Sequence, residues 1–561
     1  MGSWLLFIVS YGLWRSRGSR NIDSYLLAGK TMPWYAMGLS IMATQAGAIS
    51  FISTTGQSYT NGMRFVQFYF GLPIAMVIIA ATAAPIFHRA RVYTAYEYLE
   101  RRFDAKTRCL VSIVFLIQRG LAAGVALYAP AVVLSVILGW PDRLTTLIMG
   151  ALMVFYTAVG GIKAVTWADV QQMGVLFVAL MVALGAAIWQ LPHAVSFHDA
   201  LAVAGAAGRL TAVDTHFDWT SRYNLWSGLI GGMFLALAYF GTDQSQVQRY
   251  LTGRSIGQSR LSLVFMALTK IPMQVFILFT GAMVFSLFTF REPPVLFHPA
   301  ALAQVRADAR FPAIEHRYQE AFETRRATAA HWLAVRSASP AAGYQAKRQY
   351  QGAEARFEAV RQEAEQLAGK LNGVSGFNDT NFIFLSFVTT YLPAGLVGLI
   401  VGVIFSAGMS SISGEINSLA TVSVIDIYKR HFVRDASDGH YLMASRLITV
   451  FWGAYAIAFA SMGANFGALI ETVNMVGSLF YGSMLGVFVL AFGVKRANGR
   501  GAFCGVLAGE TVVFLISRLT GISYLWYNPI GCAATVSAGL LVSVFAPNRN
   551  HEVEERPLSI P

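Results

Sequence analysis

The sequence is poor in charged residues and in cysteine. Only 13% of its 561 residues are Asp, Glu, Lys or Arg, against about a quarter in an ordinary soluble protein. Cys109, Cys504 and Cys532 all lie in or beside apolar runs, so they indicate small buried side chains and exclude a disulfide framework. No CxxC, P-loop, GxSxG or HExxH motif supports an enzyme hypothesis.

Apolar residues make up 55% of the chain and recur in long continuous runs. Such runs predict an all-α polytopic membrane protein, because helices satisfy their backbone hydrogen bonds within lipid. The formal net charge of +13 would suggest nucleic acid in a soluble protein. Here much of the basic excess falls in short loops between runs, so it indicates membrane orientation, and no nucleic-acid partner is expected.

About thirteen transmembrane helices are predicted. Their ranges are 4–14, 36–55, 65–87, 108–138, 143–159, 166–191, 225–247, 261–290, 390–426, 446–464, 467–493, 502–518 and 529–546. The first run is short for a span, which predicts a truncated first helix or a start codon assigned too late. Basic clusters in alternate loops, including Arg249, Arg254 and Arg260, place the N-terminus outside and the C-terminal tail in the cytoplasm.

Two blocks of five spans predict an inverted repeat. The first span of each block is interrupted by polar residues, at Thr44–Ser50 and at Gly241–Gln244, and matched interruptions mark the binding site in such folds. Ordinary kinks are the alternative. The predicted organisation is 1–32, a short first helix and cytoplasmic loop; 33–192, the first repeat; 193–223, an outer loop; 224–493, the second repeat; 494–546, two extra helices; and 547–561, a cytoplasmic tail.

A polar segment, 291–380, interrupts the second repeat and is rich in Ala, Arg, Glu and Gln. Its charge spacing predicts an amphipathic helical hairpin outside the membrane. Docking of an extracytoplasmic partner, a lid and a neutral insertion are three open interpretations.

The stretch Phe405–Arg430 is unusually polar for a helix at membrane depth. Ser410, Ser413 and Asn417 share one helix face. Uncharged hydroxyls suit a weakly held alkali cation, whereas small residues also allow close packing of helices.

The same stretch, AGMSSISGEINSLATVSVIDIYKR, resembles the eighth core helix of the sodium:solute symporter family. DSYLLAGKTMPW and GGIKAVTWADVQQ resemble two further motifs of that family. The resemblance covers about 25–290 and 380–546 and implies a bacterial member with a LeuT-type 5+5 fold in the cytoplasmic membrane. It implies that Na⁺ and a small-molecule substrate are carried together by alternating access, in contact with membrane lipid.

The family's principal sodium ligands fall here on backbone carbonyls and hydroxyls. These ligands are Ala43, Ala46, Ala407, Ser410 and Ser411. A second sodium site in some members uses the aspartate that matches Asp169, with Ser410 and Ser413, but Gly414 replaces a further serine. A capping or interfacial aspartate is the alternative for Asp169.

The family's substrate positions match six residues of this chain. They are Gln45, Ser50, Arg119, Tyr239, Lys270 and Asn474. Lys270 needs either the substrate or an ion-pair partner. Arg119 lies in mid-span with no obvious acidic partner, so it either binds a substrate carboxylate, as an arginine on this helix does in relatives, or pairs within the protein.

The expected function is sodium-coupled import of a small organic solute, which Arg119 predicts to be a monocarboxylate, an acidic sugar or an amino acid. A neutral sugar or polyol symporter, a transporter-like sensor and a proton-coupled carrier are the alternatives. Ligands without a titratable group favour sodium over protons.

Overall fold

The computed structural model describes Tyr11 and residues 22–337, 339–373, 376–462 and 468–546. The predicted first helix at 4–14 and the predicted tail at 547–561 lie outside these residues. Helices connected by short loops make up nearly all of the described chain.

The helices up to the outer loop form the first set. They are α1 (Ile22–Leu27), α2 (Trp34–Gln45), α3 (Ala48–Asn61), α4 (Leu72–Ala81), α5 (Ala83–Ala90), α6 (Ala95–Arg102), α7 (Ala105–Leu138), α8 (Asp142–Trp189) and α9 (Phe197–Ala206). Helix α8 contains two predicted spans and is broken at Gly161, whose φ of 60° is tolerated because glycine has no Cβ.

The remaining helices form the second set, the insertion and the C-terminal pair. They are α10 (Gly232–Gly241), α11 (Gln244–Leu251), α12 (Ile256–Phe290), α13 (Pro299–Arg306), α14 (Phe311–Val335), α15 (Pro340–Asn372), α16 (Thr380–Tyr391), α17 (Ala394–Val422), α18 (Asp438–Ala460), α19 (Leu469–Gly493), α20 (Gly499–Leu519) and α21 (Tyr527–Phe545).

Ten helices of the described chain are long and apolar enough to cross a membrane. The thirteen predicted spans exceed this number for three reasons. One lies outside the described residues, Ala48–Ala90 is a single apolar stretch that holds parts of two, and the interrupted Ser227–Gly241 is too short alone. The thirteen predicted spans and the ten long apolar helices therefore describe the same order of membrane segments along the chain.

Helix α17 lies at the centre of the bundle, and α18 lies at its edge. Every residue of α17 from Ile400 to Val422 is buried, whereas α18 exposes large apolar side chains such as Leu447 and Phe451. In a membrane protein such side chains face lipid. The polar residues of α17 therefore contact other helices, and both interrupted helices pack against it.

The segment 291–380 contains three helices, α13, α14 and α15, and the last two pack together as a hairpin. Two buried arginines connect the hairpin to the bundle. Arg361 pairs with Asp379, which precedes α16, and Arg325 donates to the carbonyl oxygen of Phe288 at the end of α12. The hairpin therefore rests on helix ends of the bundle.

Candidate sodium and substrate site

The first predicted interruption is a break between α2, which ends at Gln45, and α3, which begins at Ala48. Gly47 lies in this break against α17, where an added Cβ would collide with the hydroxyl of Ser411. The glycine therefore allows the broken helix and α17 to approach closely enough to share ligands.

Three of the five predicted sodium ligands come together at this contact. Oγ of Ser411 lies 3.1 Å from the carbonyl oxygen of Ala407 and 3.4 Å from that of Ala43. The carbonyl of Thr44, 3.1 Å from the same Oγ, adds an oxygen that the sequence analysis did not include. A cluster of neutral oxygens is the donor set that a small hard cation accepts. Ala46, a fourth predicted ligand, lies in the break itself.

The fifth predicted ligand, Ser410, points elsewhere. Consecutive residues of an α-helix are rotated by about 100°, and the Ser410 hydroxyl donates to the carboxylate of Asp169 on α8 instead. The two neighbouring serines therefore serve two different polar sites.

Asp169 is completely buried and is paired with Arg249 on α11. One carboxylate oxygen accepts from Ser410, and the other accepts from Ser40 and, at 2.5 Å, from Arg249. Arg249, only 1% exposed, is therefore not the loop residue that the charge pattern suggested, and its charge says nothing about membrane orientation.

This ion pair favours a structural role for Asp169 over the predicted second sodium site with Ser413. The positive charge beside Asp169 is a guanidinium, and the Ser413 hydroxyl donates to the backbone carbonyl of Ser410, 3.0 Å away. A Cβ at Gly414 would collide with Arg249, so the missing serine is what makes room for the arginine. Asp169 does not cap a helix, because it lies well inside α8 and not at its end.

A cavity lies beside the Gly47–Ser411 contact. It brings together five of the six predicted substrate residues with aromatic and amide side chains. The predicted residues in its wall are Gln45, Ser50, Arg119, Tyr239 and Asn474, accompanied by Phe68, Tyr69, Gln118, Glu415 and Tyr481. Oε1 of Gln45 and Oε1 of Gln118 have no hydrogen-bond partner within the described ranges, so the wall offers unused polar atoms.

Arg119 is the charged centre of this wall and has acidic partners, so the premise that it lacks them is wrong. Its NH2 group donates to Asp243 in the second helix break and, at 2.6 Å, to the hydroxyl of Tyr481. Its NH1 group lies 3.2 Å from Oε1 of Glu415 on α17, and its Nε has no hydrogen-bond partner among the residues that the structure describes. The ring of Tyr239 lies 5.2 Å from the guanidinium carbon.

The family model for the sodium:solute symporter family matches residues 25–306 and 363–509. The chain belongs to the sodium:solute symporter family. The unmatched residues between these segments, 307–362, fall in the helical insertion. The symporter is thus a multi-pass membrane protein that couples the movement of a small solute to sodium, and the predicted family and coupling ion are confirmed.

Individual relatives agree with this assignment over most of the chain. Human sodium-coupled monocarboxylate transporter 1 is 26% identical, covering 91% of this chain and 70% of the relative. The sodium/sialic acid symporter NanT of Aliivibrio fischeri is 24% identical, and the match covers 98% of this chain and 93% of NanT. A solved Na⁺-coupled sialic acid symporter superposes with a TM-score of 0.75 at 21% identity, covering 97% and 96%. This likeness confirms the predicted LeuT-type fold.

Lys270, the sixth predicted substrate residue, is outside the cavity wall of the symporter. It is fully buried on α12, and its Nζ has no hydrogen-bond partner within the described residues. Its ammonium lies 5.3 Å from the ring centre of Tyr69, which separates it from the cavity. The structure thus places a cation–π contact where an ion pair or a substrate contact was expected.

Three features of this site were not predicted from the sequence. They are Glu415, Tyr481 and the pairing of Asp243 with Arg119. Glu415 was nevertheless visible as an acidic residue inside an apolar helix, which is a signal of function or pairing. Gly408, Ser411 and Glu415 are spaced i, i+3 and i+7, so this acid faces the same cavity as Ser411, which the sequence predicts to be a sodium ligand.

Proposed function

We propose that this symporter imports a small carboxylate-bearing solute and that Arg119 binds its carboxylate. The observation that carries the proposal is the guanidinium in the cavity wall, whose Nε is unpartnered and whose NH1 is held only at 3.2 Å. A guanidinium with unused donors is the group that best recognises a carboxylate.

The relatives support the same chemistry. Monocarboxylates and sialic acid, which the names of the two relatives give as their solutes, share an ionised carboxyl group and differ in size and in the remainder of the molecule. A recognition site that is common to both therefore has to address the carboxylate.

The remaining predicted residues complete this proposal. The side chains of Gln45, Ser50 and Asn474 would hydrogen-bond the rest of the solute, and Tyr239 would close the cavity beside Arg119. Sodium would bind at the break, through the predicted ligands Ala43, Ala46, Ala407 and Ser411, whereas the fifth predicted ligand, Ser410, is held by Asp169. Oxygen contacts around Ser411 support this placement most directly.

The proposed location is a bacterial cytoplasmic membrane, with the N-terminus outside, the C-terminus in the cytoplasm and lipid around the bundle. In this orientation the insertion 291–380 faces the outside, where it is available to an extracytoplasmic partner. Basic loop residues support the orientation, now counted without Arg249.

Thermal stability of the purified full-length protein tests the substrate class, because a ligand that binds only the folded state stabilises it. Propionate, lactate and N-acetylneuraminate are compared with propionamide and lactamide, each in sodium chloride and in choline chloride. We expect at least one carboxylate to raise the melting temperature in sodium, and its neutral amide to have no effect. Equal stabilisation by acid and amide would refute the proposal.

Arg119→Lys tests the residue. Lysine keeps the positive charge but lacks the planar guanidinium fork, so the variant is expected to lose one charged hydrogen bond to the carboxylate. Such a bond contributes about 1.5–3 kcal/mol, so the carboxylate affinity should fall about 10- to 100-fold. Stabilisation by sodium alone is the control, because it should be retained if the variant folds normally. An unchanged carboxylate affinity would show that Arg119 has a structural role only.

A further inference from the structure

We propose that Glu415 occupies Arg119 in the empty carrier and that the substrate carboxylate displaces it, so that Glu415 sets both substrate affinity and its dependence on sodium. This inference rests on the proposed function, since it requires a carboxylate to bind at Arg119. It adds a specificity-determining residue that the sequence analysis did not include.

The two acidic partners of Arg119 are held differently. Asp243 is fixed by its surroundings: Oδ1 accepts from the backbone N–H and the hydroxyl of Ser245, at 2.9 and 2.7 Å, and Oδ2 accepts from Tyr481 at 3.0 Å. Glu415 has one contact with Arg119, at 3.2 Å, and its Oε2 has no partner in the described part of the chain although the residue is only 5% exposed. Glu415 is therefore the partner that can be released.

The position of Glu415 fits this role. It lines the cavity and contacts the NH1 group of Arg119, so a solute carboxylate arriving through the cavity would compete for that donor. Asp243 lies in the helix break on the other side of the guanidinium and approaches NH2. Asp243 therefore holds Arg119 in position, and the carboxylate of Glu415 occupies the place on Arg119 that the solute carboxylate would take.

The charges around Glu415 connect this exchange to sodium. The charged and titratable groups around it are Arg119 and Asp243, with Tyr239 and Tyr481 in the same cavity wall. Arg249, which lies against the neighbouring Gly414, is already paired to Asp169. With one cation and two carboxylates, the Arg119 cluster carries one net negative charge, and a bound solute carboxylate adds a second.

Sodium near the released Glu415 would offset this added charge. The sodium ligand Ser411 lies one helical turn before Glu415 on the same face of α17, so sodium bound there neutralises the added charge. In the absence of sodium, Glu415 keeps its place on Arg119 and the apparent affinity for the solute falls accordingly.

The test is carboxylate binding to the full-length protein carrying Glu415→Gln, measured by thermal stabilisation with propionate, lactate and N-acetylneuraminate over a series of sodium concentrations. Removing the internal competitor should tighten binding of the carboxylate that stabilises wild type by about tenfold or more. The factor by which sodium improves that affinity should fall at least threefold, because the charge that sodium offsets is gone.

Glu415→Asp is the second variant. It keeps the negative charge but is one methylene shorter, which withdraws the carboxylate from Arg119, so it should also tighten binding and should retain more of the sodium dependence than Gln. The Asp variant decides the question alone if the Gln variant does not fold. Ser406→Ala is a matched control on the same helix, because the Ser406 hydroxyl bonds only to the Gly402 carbonyl.

Unchanged or weaker carboxylate binding in the folded variants would overturn the role of Glu415 while leaving carboxylate transport intact. If no carboxylate stabilises wild type or either variant at any sodium concentration, the proposed function itself fails. Tighter binding in both variants, with reduced sodium dependence in the Gln variant, is the expected result.

Discussion

The buried pair between Asp169 and Arg249 gives the sharpest prediction, because it distinguishes a structural ion pair from a sodium site. The perturbations are Asp169→Asn, Arg249→Gln and the double variant. Each single change leaves one charge in the protein interior without a partner, and the double change removes both charges at once.

The magnitudes follow from burial. Asp169 is 0% and Arg249 1% exposed, and breaking such a pair by removing one partner costs about 3–5 kcal/mol. The double variant should lose less than either single variant, because no uncompensated charge remains. We therefore expect a coupling free energy of about 3 kcal/mol or more between the two positions, at the top of the range for directly contacting residues.

The assay is thermal unfolding of the three variants and wild type, purified in detergent, over a sodium titration. Wild type should follow a binding curve for a single sodium ion, because Arg249 supplies the positive charge next to Asp169. Asp169→Asn should unfold at a lower temperature but keep a single-site sodium response. Transport stoichiometry in proteoliposomes should correspondingly be one sodium per solute.

The reasoning is refuted by a different pattern. If Asp169 mainly held sodium, Arg249→Gln would be mild, wild type would show cooperative binding of two sodium ions, and Asp169→Asn would abolish one of them. A double variant as unstable as the sum of the singles would also show that the two side chains act independently.

Three further predictions follow from other contacts. Ser411→Ala should weaken sodium affinity at least tenfold in the same stabilisation assay, because it removes a ligand where the broken helix meets α17. Ser406→Ala, on the same helix, should leave the sodium affinity unchanged. Equal losses of sodium affinity in the two variants would contradict the proposed sodium site. Arg361→Gln should destabilise the docked hairpin by about 3–5 kcal/mol, because a buried carboxylate loses its partner. Arg317→Gln, which removes an exposed ion pair, should cost less than about 1 kcal/mol. Limited proteolysis of the hairpin in the two variants measures this difference. Burial raises the pKa of Glu365 in the hairpin from 4.5 to about 7, so between these pH values the folded hairpin holds a proton that the unfolded chain releases. The resistance of the hairpin to proteolysis should therefore fall as pH rises from about 5 to about 7. Glu365→Gln should remove this pH dependence.

Much of the fold could be predicted from the sequence because it depends on local properties. Continuous apolar runs identify spans wherever lipid is the solvent, and the polar residues at Gln45–Gly47 and at Thr242–Asp243 marked both helix breaks, which the structure contains. The contact of Ser411 with the broken helix also follows from a local property, since a hydroxyl within an apolar helix must find a polar partner. These features need only the order of residues along one helix.

Partner choice among the charged side chains was decided by tertiary structure alone. Arg119 and Glu415 are 296 residues apart, and whether they meet depends on how α7, α17 and the second helix break pack around one cavity. The same packing placed Asp169 beside Ser410 and brought Arg249, which charge counting placed in a loop, onto Asp169. In a low-dielectric interior a charge must be paired, so the sequence alone determined that these residues need partners, and the three-dimensional packing determined which partners they have.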